Sequence, residues 1–380
     1  MFSSSRLEIS KSALANNLTF IRSLLGKKVR HSSVVKGNAY GHSIEAFVPL
    51  VEACDGDHFS VFSADEAYRV TQVSNGNSDI MIMGMIPKEA MEWVIINNIS
   101  FFVFDLKRLT FAIETATRLK KAARVHIELE TGMNRTGFAE QELEQVAILL
   151  KNNSKHLIFE GICTHYAGAE SITNYYRVEQ QKKNFKLLSK RLKQLSQRRP
   201  KTIHTACSAA LIRHPKTQMD LVRIGILQYG FWPSLETFIE LSSKTGIKTS
   251  PLERVITWKS EVMSIKEVKT GEFVGYGTLY LANTDIRIAT IPVGYSHGFA
   301  RGLSNQGRVL LHGQRIPVIG VVNMNAIVVD ISNLENVQVG DEVVLIGKQG
   351  ENVISVASFS DFSNQVNYEL LTRLPEHLPR

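Results

Sequence analysis

Lys36 is the residue of this chain best placed by its neighbours to do covalent chemistry. It closes the apolar run Ser33-Val34-Val35 and opens a turn, Gly37-Asn38-Ala39-Tyr40-Gly41-His42. An amine at a partly desolvated strand end loses its proton more readily than one in water, and the neutral form condenses with an aldehyde as a Schiff base. Four further sites carry polar or ionisable side chains at or just after short apolar runs: Arg135, His165, Ser208, and Arg223 with Gly225. An arginine inside Leu221-Val222-Arg223-Ile224-Gly225 is poorly placed to be a solvated surface charge. Zinc chemistry is not indicated. Cys163 with His165 and His204 with Cys207 lack the CxxC or HxxxH form of a ligand set, and a buried thiol is usually inert packing.

The elements that must position these residues follow from periodicity. Short apolar runs at 31–36, 58–63, 79–84, 100–105, 124–130, 159–165, 202–207 and 221–226 alternate with helix-forming stretches such as 43–53, 64–73 and 141–150. Repeated βα units imply a parallel sheet, and about eight of them imply a closed barrel. An open doubly wound sheet is the competing arrangement, but no GxGxxG follows the first run. In such barrels chemistry gathers at the C-terminal strand ends, where Lys36, Arg135, His165, Ser208 and Arg223 fall. Beyond about residue 240 the texture changes to β-rich runs separated by Gly, Asn and Asp, with no long helix between them. The expected fold is therefore α/β: a (β/α)8 TIM-type barrel over residues 1–240, then a mostly β C-terminal domain over 241–380.

Composition narrows the class. With 44% hydrophobic and 21% charged residues, the chain reads as an ordinary soluble globular protein. The N-terminus lacks the pattern of a secretory signal, and no apolar segment approaches the roughly 20 residues of a membrane span. Three widely spaced cysteines fit reduced thiols, so a cytoplasmic location is expected. The net charge of +8 is local: residues 177–201 contribute +9 and the remainder −1. Within that segment Val178, Phe185, Leu188, Leu192 and Leu195 recur at helical spacing, which predicts one amphipathic helix with a basic solvent face. Neither a nucleic-acid nor a membrane partner is expected.

Val34-Val35-Lys36-Gly37-Asn38-Ala39-Tyr40-Gly41-His42 resembles the cofactor-attachment motif of the alanine racemases, enzymes that use pyridoxal 5′-phosphate. Glu130-Thr131-Gly132-Met133-Asn134-Arg135-Thr136-Gly137, Thr164-His165-Tyr166-Ala167, Cys207-Ser208-Ala209-Ala210 and Val222-Arg223-Ile224-Gly225-Ile226 resemble that family in the same order. So do Gly275-Tyr276-Gly277-Thr278-Leu279-Tyr280, Ile291-Pro292-Val293-Gly294-Tyr295, Asn323-Met324 and Asn367-Tyr368-Glu369. The resemblance implies a homodimer with shared active sites that interconverts L- and D-alanine and supplies D-alanine for cell-wall peptidoglycan. It implies that Lys36 holds the cofactor and is one base, and that Tyr276 of a second copy is the other. Racemisation needs both, because a proton leaves one face and returns on the opposite face. His165 and Arg223 would be hydrogen-bonded in a chain that makes Tyr276 basic enough, and Arg223 would face the cofactor's ring nitrogen. Tyr40, Ser208, Gly225, Ile226 and Tyr368 would hold the phosphate. Arg135 and the Met324 amide would take the substrate carboxylate, and Tyr295 with Tyr368 would narrow the entrance.

The chain also departs from that family. Glu128 stands where many relatives have a carbamylated lysine, which implies that a native carboxylate beside Arg135 takes over its role. Cys207 replaces an asparagine, Val321 and Asn325 replace an arginine and an aspartate at the entrance, and Glu170 replaces an aspartate. The altered entrance leaves open a racemase of the same fold acting on serine, lysine or a broader set. A decarboxylase or lyase on a related barrel is the other alternative, and one-face chemistry would not need a second base.

Overall fold

The computed structural model describes residues 3–356 and 367–380. The chain opens with β1 (Ser5–Ile9) and a helix, Lys11–Leu24, and then lays down eight parallel strands. These are β2 (Arg30–Val34), β3 (His58–Val61), β4 (Asp79–Ile82), β5 (Ser100–Val103), β6 (Ala123–Glu128), β7 (Leu157–Cys163), β8 (Thr202–His204) and β9 (Leu221–Ile224). Their spatial order is β8-β7-β6-β5-β4-β3-β2-β9. The ring is drawn together between β8 and β9 by a bridge from Cys207 to Arg223, with Arg223 N donating to Ala206 O at 3.0 Å. All four residues of β5 are buried, as a strand covered on both faces requires. Met81, Phe102, Cys163 and Leu221 form one buried apolar cluster.

Each barrel strand ends two residues before the end of the apolar run that predicted it, and β8 ends three before. Apolar residues continue into the loops, whereas the ladder stops where the backbone turns. Single bonds such as Val35 N to Ser60 O (2.9 Å) and Leu129 N to Cys163 O (2.8 Å) carry the pairing one residue further. Lys36 and His165 therefore stand just past their strands. Helix Leu106–Leu119 starts where Asp105 accepts the amide of Arg108 at 2.8 Å. Helix Tyr175–Ser196 buries Val178, Phe185, Leu188 and Leu192 as its spacing predicts. Leu195 is instead 39% exposed, because it falls at the edge of that stripe.

The second sheet is antiparallel, in the order β1-β10-β16-β13-β14-β15-β12-β11. It uses β10 (Ile256–Glu261), β11 (Ser264–Val268), β12 (Ile286–Ile291), β13 (Arg308–Leu311), β14 (Gln314–Ile319), β15 (Ile327–Asp330) and β16 (Glu342–Gln349), and β17 (Asn352–Ile354) adds to β16. β1 lies in this sheet, its Leu7 opposite Trp258. The two compact units accordingly comprise residues 12–36 with 48–253, and residues 1–11 and 37–47 with 254–380. That division parts from the expected boundary at 240 in two respects. The C-terminal unit starts later, and it takes in both the first strand and the segment after Lys36. No helix among the described residues is long and apolar enough to cross a membrane.

Candidate active site

Lys36 lies two residues past the end of β2 and is exposed in the single chain. Loss of surrounding water, then the charges of Arg135 and Arg223, lower its pKa below the ordinary lysine value, against the opposing pull of Glu66. The sequence expectation of an activated amine rests on the first of these causes, a partly desolvated strand end; the cationic neighbours emerge only in the fold.

From Lys36 the chain runs through a left-handed turn: Gly37 (φ 61°), Asn38 (φ 53°), Ala39 (φ 53°) and Tyr40 (φ 52°). Gly41 N donates to Gly37 O at 3.0 Å, and Ile44 N donates to Asn38 Oδ1 at 3.1 Å. Burial lowers the His42 pKa to about 4, so the ring is neutral, and its Nδ1 lies 3.1 Å from Ala39 O and 3.0 Å from Tyr40 O. Gly41 is required by contact: a Cβ there would sit 1.8 Å from Leu371 O. The Arg380 guanidinium donates to Gly41 O at 3.0 and 2.9 Å.

Arg223, on β9, is 4% exposed. Its Nη2 donates to Thr164 O at 2.8 Å and Thr205 O at 3.3 Å, and its Nη1 donates to His204 O at 3.1 Å and to the His204 ring. None of these bonds reaches the His165 ring, so the expected Arg223–His165 chain is not joined directly; carbonyls and His204 take the N–H groups of the two Nη atoms. Burial first, then Arg223, Arg135 and Lys36, lower the His165 pKa to about 3, which leaves it neutral near pH 7. Ser208 opens helix Ser208–Arg213, and its Oγ accepts Gly225 N at 3.0 Å. Ile226 follows at the start of a short turn.

Glu128, the last residue of β6, is 5% exposed, whereas Arg135 is exposed, and no ion pair within 4 Å joins them. Burial raises the Glu128 pKa, opposed by a hydrogen bond from Thr136 and by the charges of Arg223 and Arg135. The loop carrying Arg135 is organised instead by Glu130. Its carboxylate accepts the amides of Gly132, Met133 (2.8 Å) and Asn134 (2.8 Å). Arg177, from the basic helix, donates to Gly132 O at 3.1 and 3.3 Å. Sequence reasoning passed over Glu130, and its only signal was an acid directly before a glycine-containing turn.

In the C-terminal unit Tyr276 is 75% exposed, in a loop between β11 and β12. Met324 and Tyr295 are exposed too, and their segments are stitched together. Tyr295 N donates to Asn323 O at 3.0 Å, and Ser296 N and Oγ donate to Met324 O at 3.0 and 2.8 Å. Asn325 Nδ2 donates to Ser296 Oγ at 3.0 Å. Val321 is half-buried and Glu170 is exposed. Tyr368 lies in helix Asn367–Thr372, but its side chain is outside the described residues. No group of three or more His, Cys, Asp or Glu among the described residues could hold a metal ion.

The donor set of the barrel mouth fits an aldehyde-bearing aromatic phosphate. It offers an amine of lowered pKa, a hydroxyl beside a backbone amide, and a guanidinium whose hydrogen-bond partners are all neutral. Comparison with known proteins points the same way. Residues 9–233 match the family model described as alanine racemase, N-terminal domain, and residues 255–380 match alanine racemase, C-terminal domain. Among curated proteins, alanine racemase 1 of Caldanaerobacter subterraneus is 32% identical over 377 residues, covering 99% of this chain and 94% of its own. Alanine racemase of Halothermothrix orenii is 34% identical over 381 residues, covering 98% and 95%. Among solved structures, alanine racemase of Clostridium difficile superposes with a TM-score of 0.89 at 29% identity, covering 100% of this chain and 95% of that one. That of Bacillus anthracis, solved with bound L-Ala-P, gives 0.89 at 28% identity, covering 100% and 94%.

Proposed function

Since the chain belongs to the alanine racemase family, and is on that ground an amino-acid racemase, we propose that it interconverts L- and D-alanine by proton exchange on two opposite faces of the substrate. The observation that carries this reading is Lys36, an amine of lowered pKa at the mouth of a barrel that also presents Arg223, Arg135 and a neutral His165. Pyridoxal 5′-phosphate, when bound, supplies the electron withdrawal that makes the substrate's α-hydrogen acidic.

The chain's own groups do the rest. Lys36 would hold the cofactor through its aldehyde, and its Nζ takes or returns the α-proton on one face of the substrate. Tyr276 Oη of a second copy does so on the other face. Its exposure in the single chain supports a site shared between two copies, as does that of Met324, whose amide takes the substrate carboxylate together with Arg135. Ser208 Oγ and the Gly225 and Ile226 amides, with Tyr40 and Tyr368, hold the phosphate. Arg223 would face the cofactor's ring nitrogen and, as a guanidinium that does not readily give up a proton, would leave it unprotonated and so restrain side reactions at the substrate. Tyr295 narrows the entrance. D-alanine for cell-wall peptidoglycan is the product's proposed use.

Chiral chromatography of products from single L- and D-amino acids tests the reading. Incubation with either alanine enantiomer should converge on an equal mixture, faster than with serine or lysine. Racemisation of serine or lysine without alanine would overturn the substrate, and deamination or carbon dioxide release would overturn the reaction.

A further inference from the structure

We propose that His204 and His126 are positioning residues for Arg223, a brace of two neutral imidazoles with fixed tautomers that holds the guanidinium without giving it a counter-charge. The proposal rests on the reading of Arg223 as the group facing the cofactor's ring nitrogen.

The tautomers follow from the donor inventory alone. A guanidinium donates and never accepts. Arg223 Nη1 bonds to His204 Nδ1, so that nitrogen is bare and the ring's proton is on Nε2. His204 Nε2 lies 2.9 Å from His126 Nδ1, so His126 is the acceptor there and carries its own proton on Nε2. The His126 Nε2 atom is buried and has no acceptor among the described residues. A relay that ends on a buried N–H with nothing to receive it is a brace and not a proton wire.

Neither ring can add a second proton without breaking the arrangement. A protonated His204 would set N–H against N–H at Arg223. Burial, then Arg223, His126 and His58, lower the His204 pKa well below the ordinary histidine value. Burial likewise lowers that of His126 to about 3, with Glu160 and Asp79 opposing the shift and His58 and Arg124 adding to it. Phe102 packs against all three groups: its ring centroid is 5.7 Å from that of His204, 6.0 Å from that of His126 and 5.9 Å from the Arg223 guanidinium carbon.

The consequence is electrostatic. The hydrogen bonds of Arg223 go to the carbonyls of Thr164, His204 and Thr205 and to one neutral ring. A carboxylate in place of His204 would hold the guanidinium as firmly but cancel much of its charge in this dry interior. The imidazole separates holding from neutralising.

The test has two arms. In [15N]histidine-labelled protein, long-range 1H–15N spectra should show His204 and His126 as neutral Nε2–H tautomers from about pH 5 to 8, assigned by the signals lost in His204→Gln and His126→Gln. Titration of either ring in that range, or an Nδ1–H tautomer, would overturn the brace. In the second arm His204→Leu should lower kcat on the order of tenfold. His204→Gln, whose amide offers an oxygen to Arg223 and an N–H to His126, should recover most of that loss, and His204→Glu should not. Equal rates for the Gln and Glu variants would overturn the argument from charge. A Gln variant as impaired as the Leu variant would overturn the brace. The first arm needs no turnover, so a protein that racemised no amino acid would defeat the proposed function and leave this inference to be judged by its spectra.

Discussion

Glu128 sits almost fully buried at the end of β6, with an exposed Arg135 that it does not pair with in the single chain. Burial raises its pKa. An acid whose folded pKa lies above the unfolded value favours the folded state at low pH, and that contribution is lost as pH rises through the folded pKa. Glu128→Gln has no charge to bury, so its Tm should exceed that of the parent near about pH 8, and the gap should close as pH falls towards about 4. Thermal melts across that range read the effect, and a gap independent of pH would mean that the carboxylate is solvated. The carboxylate is also permanent, unlike a carbamate, so racemase activity should be indifferent to added bicarbonate. Of the proposed site residues, Lys36 and His165 close an apolar run, Ser208 follows one and Arg223 interrupts one, which is why the sequence alone singled them out. His126 and His204 were not, since 78 positions separate them and only the curvature of the barrel brings their rings together.

The turn after Lys36 and the loop before Arg135 make different demands on the backbone. In the turn, Gly41 has no room for a side chain beside Leu371 O. Gly41→Ala should cost about 3 kcal/mol of stability and weaken retention of the cofactor, read by thermal melts and by visible absorbance after dialysis. In the loop, three amides converge on the Glu130 carboxylate. Glu130→Ala should leave the fold intact but free Arg135 to wander, raising KM roughly tenfold with a smaller change in kcat; an unchanged KM would show that the loop is held by other means. The barrel strands were foreseen, but each predicted run overran its strand by two residues, and by three at β8. Apolar character continues past the point where pairing stops, so composition overruns geometry at every strand end.

For the molecule as a whole, the proposed site is complete only when two copies combine Lys36 from one with Tyr276 from the other. Lys36→Ala and Tyr276→Phe should each be inactive, yet mixing them under conditions of subunit exchange should restore up to about a quarter of the wild-type activity. A random mixture is half hybrids, and one of a hybrid's two sites is wholly wild-type. No recovery after exchange verified by mass spectrometry would argue for a site built within one chain. The eight parallel barrel strands and the β-rich C-terminal third were readable from periodicity. The placement of β1 was not: Leu7 pairs with Trp258, 251 positions away, and no local pattern encodes a partner at that distance. The basic segment was read as a solvated helix face, which it largely is, but Arg177 also holds Gly132 O in the Arg135 loop.

The left-handed turn from Gly37 to Tyr40 bears on the mirror image of the chain's own building blocks. L-residues lose roughly 1–2 kcal/mol each in that hand, and glycine loses none. The order Gly37-Asn38-Ala39-Tyr40 begins with the two residue types that tolerate it best. A D-residue finds the same φ and ψ relaxed. A semisynthetic chain with D-alanine at position 39 should therefore keep the turn and gain about 1 kcal/mol, whereas Ala39→Val, β-branched and of the disfavoured hand, should melt well below the parent. Next to the amine proposed to act on either enantiomer, the backbone itself runs in the hand that D-amino acids prefer.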